Sequence, residues 1–318
     1  MPEVFDIILI NILTLAFSLA VLAIASQFTI KSIEQLIKLT HLSEASVGFV
    51  ILSVMTSIPE IFVALFSVLH GEPGFSVGDI LGSNVFNIGV VVGILATMGF
   101  LKKCSTELLT ELVDILFLSS IIPLILVVLG TAHSFVGLAL LGIFIFSVRE
   151  MTKKRKQPVL LESGETGNER VSKKVVLSKL IVGVALVIVM AELIIISASN
   201  ISVTLGVAPL LIGAKVIAIG TSMPELALDL TAVRRGRIHL AIGDLIGSNL
   251  TNITLVLGIV LLASPLEVVD LSIFAQVIPF VLITTLILWR YLTKGGVSQL
   301  GGVALIIVYI VFQAVTVA

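Results

Sequence analysis

Cysteine is nearly missing from this chain. Cys104 is the only one among 318 residues, which excludes an intrachain disulfide, a thiolate metal centre and a dithiol redox pair. Charge is scarce too: Asp, Glu, Lys and Arg make up 12% of the residues, against about 25% in an average soluble domain. The four histidines, His41, His70, His133 and His239, fall near the ends of apolar runs and read as interfacial groups rather than ligands. The string Gly74-Phe75-Ser76-Val77-Gly78 matches G-x-S-x-G but stands at the start of an apolar span rather than in the strand–turn–helix context that motif needs, and H-E-x-x-H does not occur, so an intramembrane hydrolase is disfavoured. The first residues lack a basic segment and a small-residue cleavage site, so the first apolar run is expected to be kept as a span.

What is present is hydrophobicity: 58% of residues are apolar and the mean hydropathy is +1.21, the composition of a membrane protein. About 20 apolar residues cross a bilayer. Ten runs of that kind are expected, near 5–30, 44–69, 76–101, 107–130, 134–150, 177–200, 208–233, 240–263, 268–291 and 298–317. The basic residues test this count. With both termini outside, 18 of the 19 Lys and Arg fall in cytoplasmic connections or their margins, and only Lys215 lies elsewhere. The expected fold is therefore an all-α polytopic membrane protein with ten transmembrane helices. Five spans per half is an odd number, so the second half is inverted relative to the first, a recurring transporter plan. The halves are 1–150 and 177–318. Residues 151–176, with Lys153-Lys154-Arg155-Lys156 and a Gly- and Glu-rich stretch, read as a solvated cytoplasmic linker.

The halves repeat a motif. Thr56-Ser57-Ile58-Pro59-Glu60 returns as Thr221-Ser222-Met223-Pro224-Glu225, and Gly82-Ser83-Asn84-Val85-Phe86-Asn87 returns as Gly247-Ser248-Asn249-Leu250-Thr251-Asn252. Every pair is 165 positions apart, as are Gly48 and Gly213, and Asp79 and Asp244. The motifs occupy 48–89 and 213–254. Each places a glutamate inside an apolar run, where a charge is expensive and by default functional. Pro59 and Pro224 remove a helical hydrogen bond, so a kink or an interruption is expected at each, with the Ser53 and Ala218 carbonyls losing their helical partners. Such freed carbonyls are tolerated in a bilayer only where protein, a polar cavity or a bound cation satisfies them. Ser83 and Asn87, like Ser248 and Asn252, share one helix face at i and i+4. Pooled, these groups offer two carboxylates, hydroxyls, amide oxygens and carbonyls, with no sulfur or imidazole. That is a donor set for hard cations such as Ca²⁺ and Na⁺, and two glutamates balance one Ca²⁺.

At these residues the chain resembles the calcium:cation antiporter superfamily, in particular its sodium/calcium exchanger branch. The resemblance covers nearly the whole chain. It implies that Glu60 and Glu225 are the central Ca²⁺ ligands, with Thr56, Thr221 and the carbonyls of Ser53 and Ala218. Ser57, Ser83, Ser222, Ser248, Asn87 and Asn252 would complete the Na⁺ sites. It also implies that the first and sixth spans slide across the other eight. Met55 stands where the family usually has glycine, Asp79 and Asp244 where asparagine is common, and Asn252 where several members have aspartate. The implied activity is alternating-access exchange of Ca²⁺ for Na⁺ across the cell membrane. It is not an enzyme's activity; it needs no cofactor, nucleic acid plays no part, and the partners are the ions and the bilayer. Exchange of Ca²⁺ for H⁺ by the same two glutamates is the alternative, but the G-N-A-x-E element usual in that branch is absent. Of the remaining charges, Asp229 reads as an approach-path carboxylate or a partner for nearby Arg residues rather than a core ligand, Lys215 as a snorkelling amine, Glu192 and Gln27 as lining the sliding interface, and Asp114 as a cytoplasmic boundary.

Overall fold

A computed structural model of the chain describes residues 2–40, 52–129, 134–154, 173–264 and 271–315. Among the described residues every regular element is helical. Helix α1 spans Pro2–Thr40. It outruns the expected 5–30 because residues 27–40 contain no Gly or Pro and several straight-chain residues, which prolong a helix beyond the apolar run. Residues 52–56 are helical and lead, across a break at Ser57, into α2, Ile58–Leu69. Then come α3 (Pro73–Thr97), α4 (Glu107–Leu129) and α5 (Ser134–Lys154). The second half holds α6 (Lys173–Leu205), α7 (Pro209–Arg234), α8 (Ile238–Ala263), α9 (Leu271–Leu292) and α10 (Gln299–Val315). Six of these helices, α1, α3, α6, α7, α8 and α9, are long and apolar enough to cross a membrane; Ile58–Leu69, Ser134–Arg149 and Gln299–Val315 are shorter apolar helices.

Helix α5 ends at Lys154 and α6 starts at Lys173, so helix extends into both ends of the stretch expected to be a linker. Arg155, Lys156 and the Gly- and Glu-rich stretch lie outside the described residues, as do Gly48, His41 and His133. Element boundaries follow the sequence repeat. Ile58–Leu69 and Met223–Arg234 are equivalent at the 165-residue shift, as are Pro73–Phe86 and Ile238–Thr251.

Two helices form the centre. In the apolar windows of α3 and α8, 83% of residues are buried, against 17% in α1, which lies at the periphery and packs chiefly on α6. Glycine is what allows α3 to sit so close to α7. A Cβ on Gly78 would overlap the Leu210 carbonyl, and one on Gly82 the Ala214 backbone. Small residues at such contacts let membrane helices approach backbone to backbone.

Of the two forms expected at the prolines, the structure has the interruption. The interruptions fall at Ser57 (φ −80°, ψ 7°) and Ser222 (φ −88°, ψ 3°), and each proline sits in the first turn of the helix that follows. There its missing N–H is no loss, since first-turn amides have no helical partner anyway. Prolines therefore restart these helices rather than kink them. The π-helix was not expected: α3 and α8 widen into it at Asn87–Val92 and Asn252–Val256, and α7 does so at Gly213–Ile217. Single π turns inside α-helices frequently accompany functional sites.

Candidate cation-binding site

The two breaks and the two π turns converge in the interior. Thr56, Ser57, Glu60, Ser83, Asn87, Ala218, Thr221, Ser222, Glu225, Ser248 and Asn252 have no solvent exposure, and Ser53 is buried. Contacts run between the repeats. The Thr56 and Ser248 hydroxyls are 2.6 Å apart, and their equivalents, Thr221 and Ser83, are 3.3 Å apart. Each threonine hydroxyl also donates to an aspartate of the other repeat: Thr221 to Asp79 at 2.9 Å and Thr56 to Asp244 at 3.4 Å. Two asparagines that the sequence reading left unassigned stitch the centre together. Asn84 donates to the Asn249 carbonyl at 3.1 Å, and Asn87 to the Asn249 Oδ1 at 3.2 Å. Their signal was there to read, since Asn84 and Asn249 are themselves equivalent under the repeat.

At this centre lie polar atoms with no hydrogen-bond partner. Neither oxygen of Glu60 nor of Glu225 has one, nor do the Ser57 and Ser222 hydroxyls, the Asn87 Oδ1 and both side-chain polar atoms of Asn252. Glu60, Asp244 and Asp229 all lie close enough to repel Glu225, so the two glutamates share one electrostatic environment with these aspartates. A buried carboxylate without a donor or counter-charge is costly. A hard cation among these oxygens would satisfy them at once, and Ca²⁺ takes about 6–8 oxygens at about 2.3–2.6 Å. Among the described residues, no group of three or more His, Cys, Asp and Glu is arranged to hold a metal. Neutral oxygens must therefore supply much of any shell here.

One expectation is corrected. The Ala218 carbonyl is not freed: it accepts the Ser222 N–H at 3.2 Å and the Thr221 hydroxyl at 3.3 Å, because the helix runs on as far as Thr221 before breaking. The Ser53 carbonyl accepts the Thr56 hydroxyl at 3.2 Å. Elsewhere, the Lys215 ammonium donates to the Gln313 carbonyl at 2.9 Å, near the end of α10. Asp114 accepts the Trp289 indole N–H at 2.6 Å. Glu192 of α6 meets His70, just past α2, at 2.9 Å, and Ser199 donates to Glu72 at 2.8 Å. These last two contacts tie α6 to the turn between α2 and α3. Asp229 is fully buried, with neither oxygen partnered.

A small cavity of about 10 Å³, room for about one water, lies beside the Thr56 end of the centre, lined by Ser53, Val54, Phe144, Ser147, Gly247 and Thr251 among others. On the equivalent face, Phe86 and Phe312 occupy the positions matching Thr251 and Ser147, and both pack against Tyr309 with ring centroids 5.7 and 6.1 Å away.

The sequence profile of the family described as sodium/calcium exchanger protein matches residues 10–152 and 176–318. An uncharacterized membrane protein of Methanocaldococcus jannaschii is 27% identical over 300 residues, covering 92% of this chain and 93% of its own length. Sodium/calcium exchanger MaX1 of Methanosarcina acetivorans is 25% identical, covering 97% and 99%. Among solved structures, the sodium-calcium exchanger NCX_Mj superposes with a TM-score of 0.66 at 25% identity, over 97% of this chain and 99% of that one. The H+/Ca2+ exchanger CAX has the same fold, with a TM-score of 0.78 at 16% identity over 96% and 85%.

Proposed function

Because the chain belongs to the sodium/calcium exchanger protein family, we propose that it exchanges Ca²⁺ for Na⁺ across the cell membrane by alternating access, with Glu60 and Glu225 as the central ligands. The observation that carries this reading is the pair of fully buried glutamates, from equivalent helix starts, with no hydrogen-bond partner on any carboxylate oxygen. Thr56, Thr221, Ser57, Ser222, Ser83, Ser248, Asn87 and Asn252, with the Ser53 and Ala218 carbonyls, supply the neutral oxygens of the Ca²⁺ and Na⁺ shells. Both carbonyls already accept hydrogen bonds, but a carbonyl oxygen has a second lone pair for a cation.

The topology proposed with it has ten spans in two inverted five-helix repeats, 1–150 and 177–318. Both termini are outside and the 151–176 linker is cytoplasmic. The matched element boundaries and the reciprocal Thr56–Ser248 and Thr221–Ser83 contacts support the repeats, and the Lys and Arg distribution supports the orientation. Helices α1 and α6 are the moving pair: they pack mainly on each other, and α1 in particular is little buried by the remainder.

The test is ⁴⁵Ca²⁺ uptake into proteoliposomes driven by an outward Na⁺ gradient. Uptake that needs the gradient, persists without K⁺ and survives a protonophore is the expected result. Uptake driven by a pH gradient and indifferent to Na⁺ would instead establish Ca²⁺/H⁺ exchange by the same glutamates.

A further inference from the structure

We propose that Asp229 and Asp244 form a second hard-cation site, one helical turn from the Glu60–Glu225 centre and on the side of the 235–237 turn. The inference rests on the cation-exchange reading above, since the central ligands define the layer from which this one is displaced. The second part of α7, Met223–Arg234, and the first part of α8, Ile238–Thr251, form a hairpin and pack directly on each other. On α7, Asp229 follows Glu225 by four residues; on α8, Asp244 precedes Ser248 by four. Residues four apart share a helix face and are about 6 Å apart along the axis. Because the helices are antiparallel, both displacements point toward the same end of the hairpin. The two aspartates thus stand side by side in one layer.

Their surroundings call for a cation. Asp229 is fully buried, neither of its oxygens has a hydrogen-bond partner, and the neighbouring charge acting on it is the repulsion of Asp244. Asp244, fully buried as well, accepts the Thr56 hydroxyl at 3.4 Å, and that hydroxyl lies 2.6 Å from Ser248, so one threonine touches both layers. All these donors are oxygens, and two carboxylates match a divalent hard cation.

The other repeat lacks the arrangement. Ala64 holds the position equivalent to Asp229, and Asp79, equivalent to Asp244, accepts hydroxyls from Thr221 at 2.9 Å and Ser83 at 3.4 Å. Only one side of the molecule carries the extra carboxylate. A symmetric pair of half-sites has no use for it, whereas a loading site on one face does.

Equilibrium dialysis of the purified full chain against ⁴⁵Ca²⁺ in Na⁺-free buffer decides the matter. The parent should bind two Ca²⁺ per chain. Asp229→Ala, which copies Ala64, and Asp229→Asn, which keeps the shape and removes the charge, should each bind one. A parent that binds a single Ca²⁺, or variants that bind as many as the parent, would overturn the proposal. The parent's own exchange assay separates the two readings. One bound Ca²⁺ with intact Na⁺-driven uptake removes only the second site, whereas no bound Ca²⁺ and no uptake removes the central site as well.

Discussion

The half-site around Thr56 and the half-site around Thr221 have nearly the same residues and different geometry. Thr56 sits close to Ser248 (2.6 Å) and far from Asp244 (3.4 Å); Thr221 sits far from Ser83 (3.3 Å) and close to Asp79 (2.9 Å). The surroundings differ in the same sense. A small cavity adjoins the Thr56 side, whereas on the Thr221 side Phe86 and Phe312, equivalent to two of its lining residues, pack against Tyr309. The proposed alternating access needs a protein that is open on one side at a time, and unequal packing of two equal halves is what it would require. The difference has a sequence cause: Ser147 and Thr251 line the cavity where Phe312 and Phe86 stand at the equivalent positions.

Removing a central carboxylate should break the comparison most severely. Glu60→Gln and Glu225→Gln should each lower ⁴⁵Ca²⁺ uptake by at least about 100-fold, since breaking a buried charge pairing costs about 3–5 kcal/mol. Equal losses would confirm that one ion touches both halves; a variant that kept parental uptake would show that its half is dispensable. Next comes Ser147→Phe, which copies the aromatic side onto the cavity side. Uptake should fall about tenfold while Ca²⁺ binding persists, because overpacking costs about 1–3 kcal/mol and here opposes the open state. Loss of binding along with uptake would place the cavity within the site rather than on its path.

Glycine substitutions compare a close contact with open space. Gly82→Ala should destabilise the protein by about 1–3 kcal/mol, read as a lower unfolding temperature in detergent, because its Cβ meets Ala214 backbone that cannot yield. Gly142→Ala meets nothing within 4 Å and should be neutral or stabilising by up to about 1 kcal/mol. The smallest effect belongs to His70→Ala. The exposed His70–Glu192 contact is worth about 0.2–1 kcal/mol, so exchange should change by less than about fivefold. A larger change would mean that this contact gates α6.

Much of the centre was legible because the repeat amplifies it. A lone buried serine or threonine has many explanations, but Thr56, Glu60, Ser83 and Asn87 recur in register as Thr221, Glu225, Ser248 and Asn252. All eight meet inside the molecule without solvent exposure. Less legible was the backbone. Proline predicts the loss of an amide donor, but whether it kinks a helix or begins a new one depends on the residue before it, and here Ser57 and Ser222 adopt the break. The π turns at Asn87 and Asn252 have no reliable sequence signature, since they reflect local accommodation to packed neighbours.

Hydrophobicity and the repeat, by themselves, determined that this is an all-helical membrane protein with paired glutamates, because burying a charge in an apolar run is too costly to be incidental. Only tertiary structure decided which hydroxyl meets which carboxylate, that Asn84 and Asn249 join the halves, and which side holds the cavity. Those are contacts between helices distant in sequence. They are set by backbone approach at glycines and by side-chain volume on facing helices, and a linear pattern carries neither.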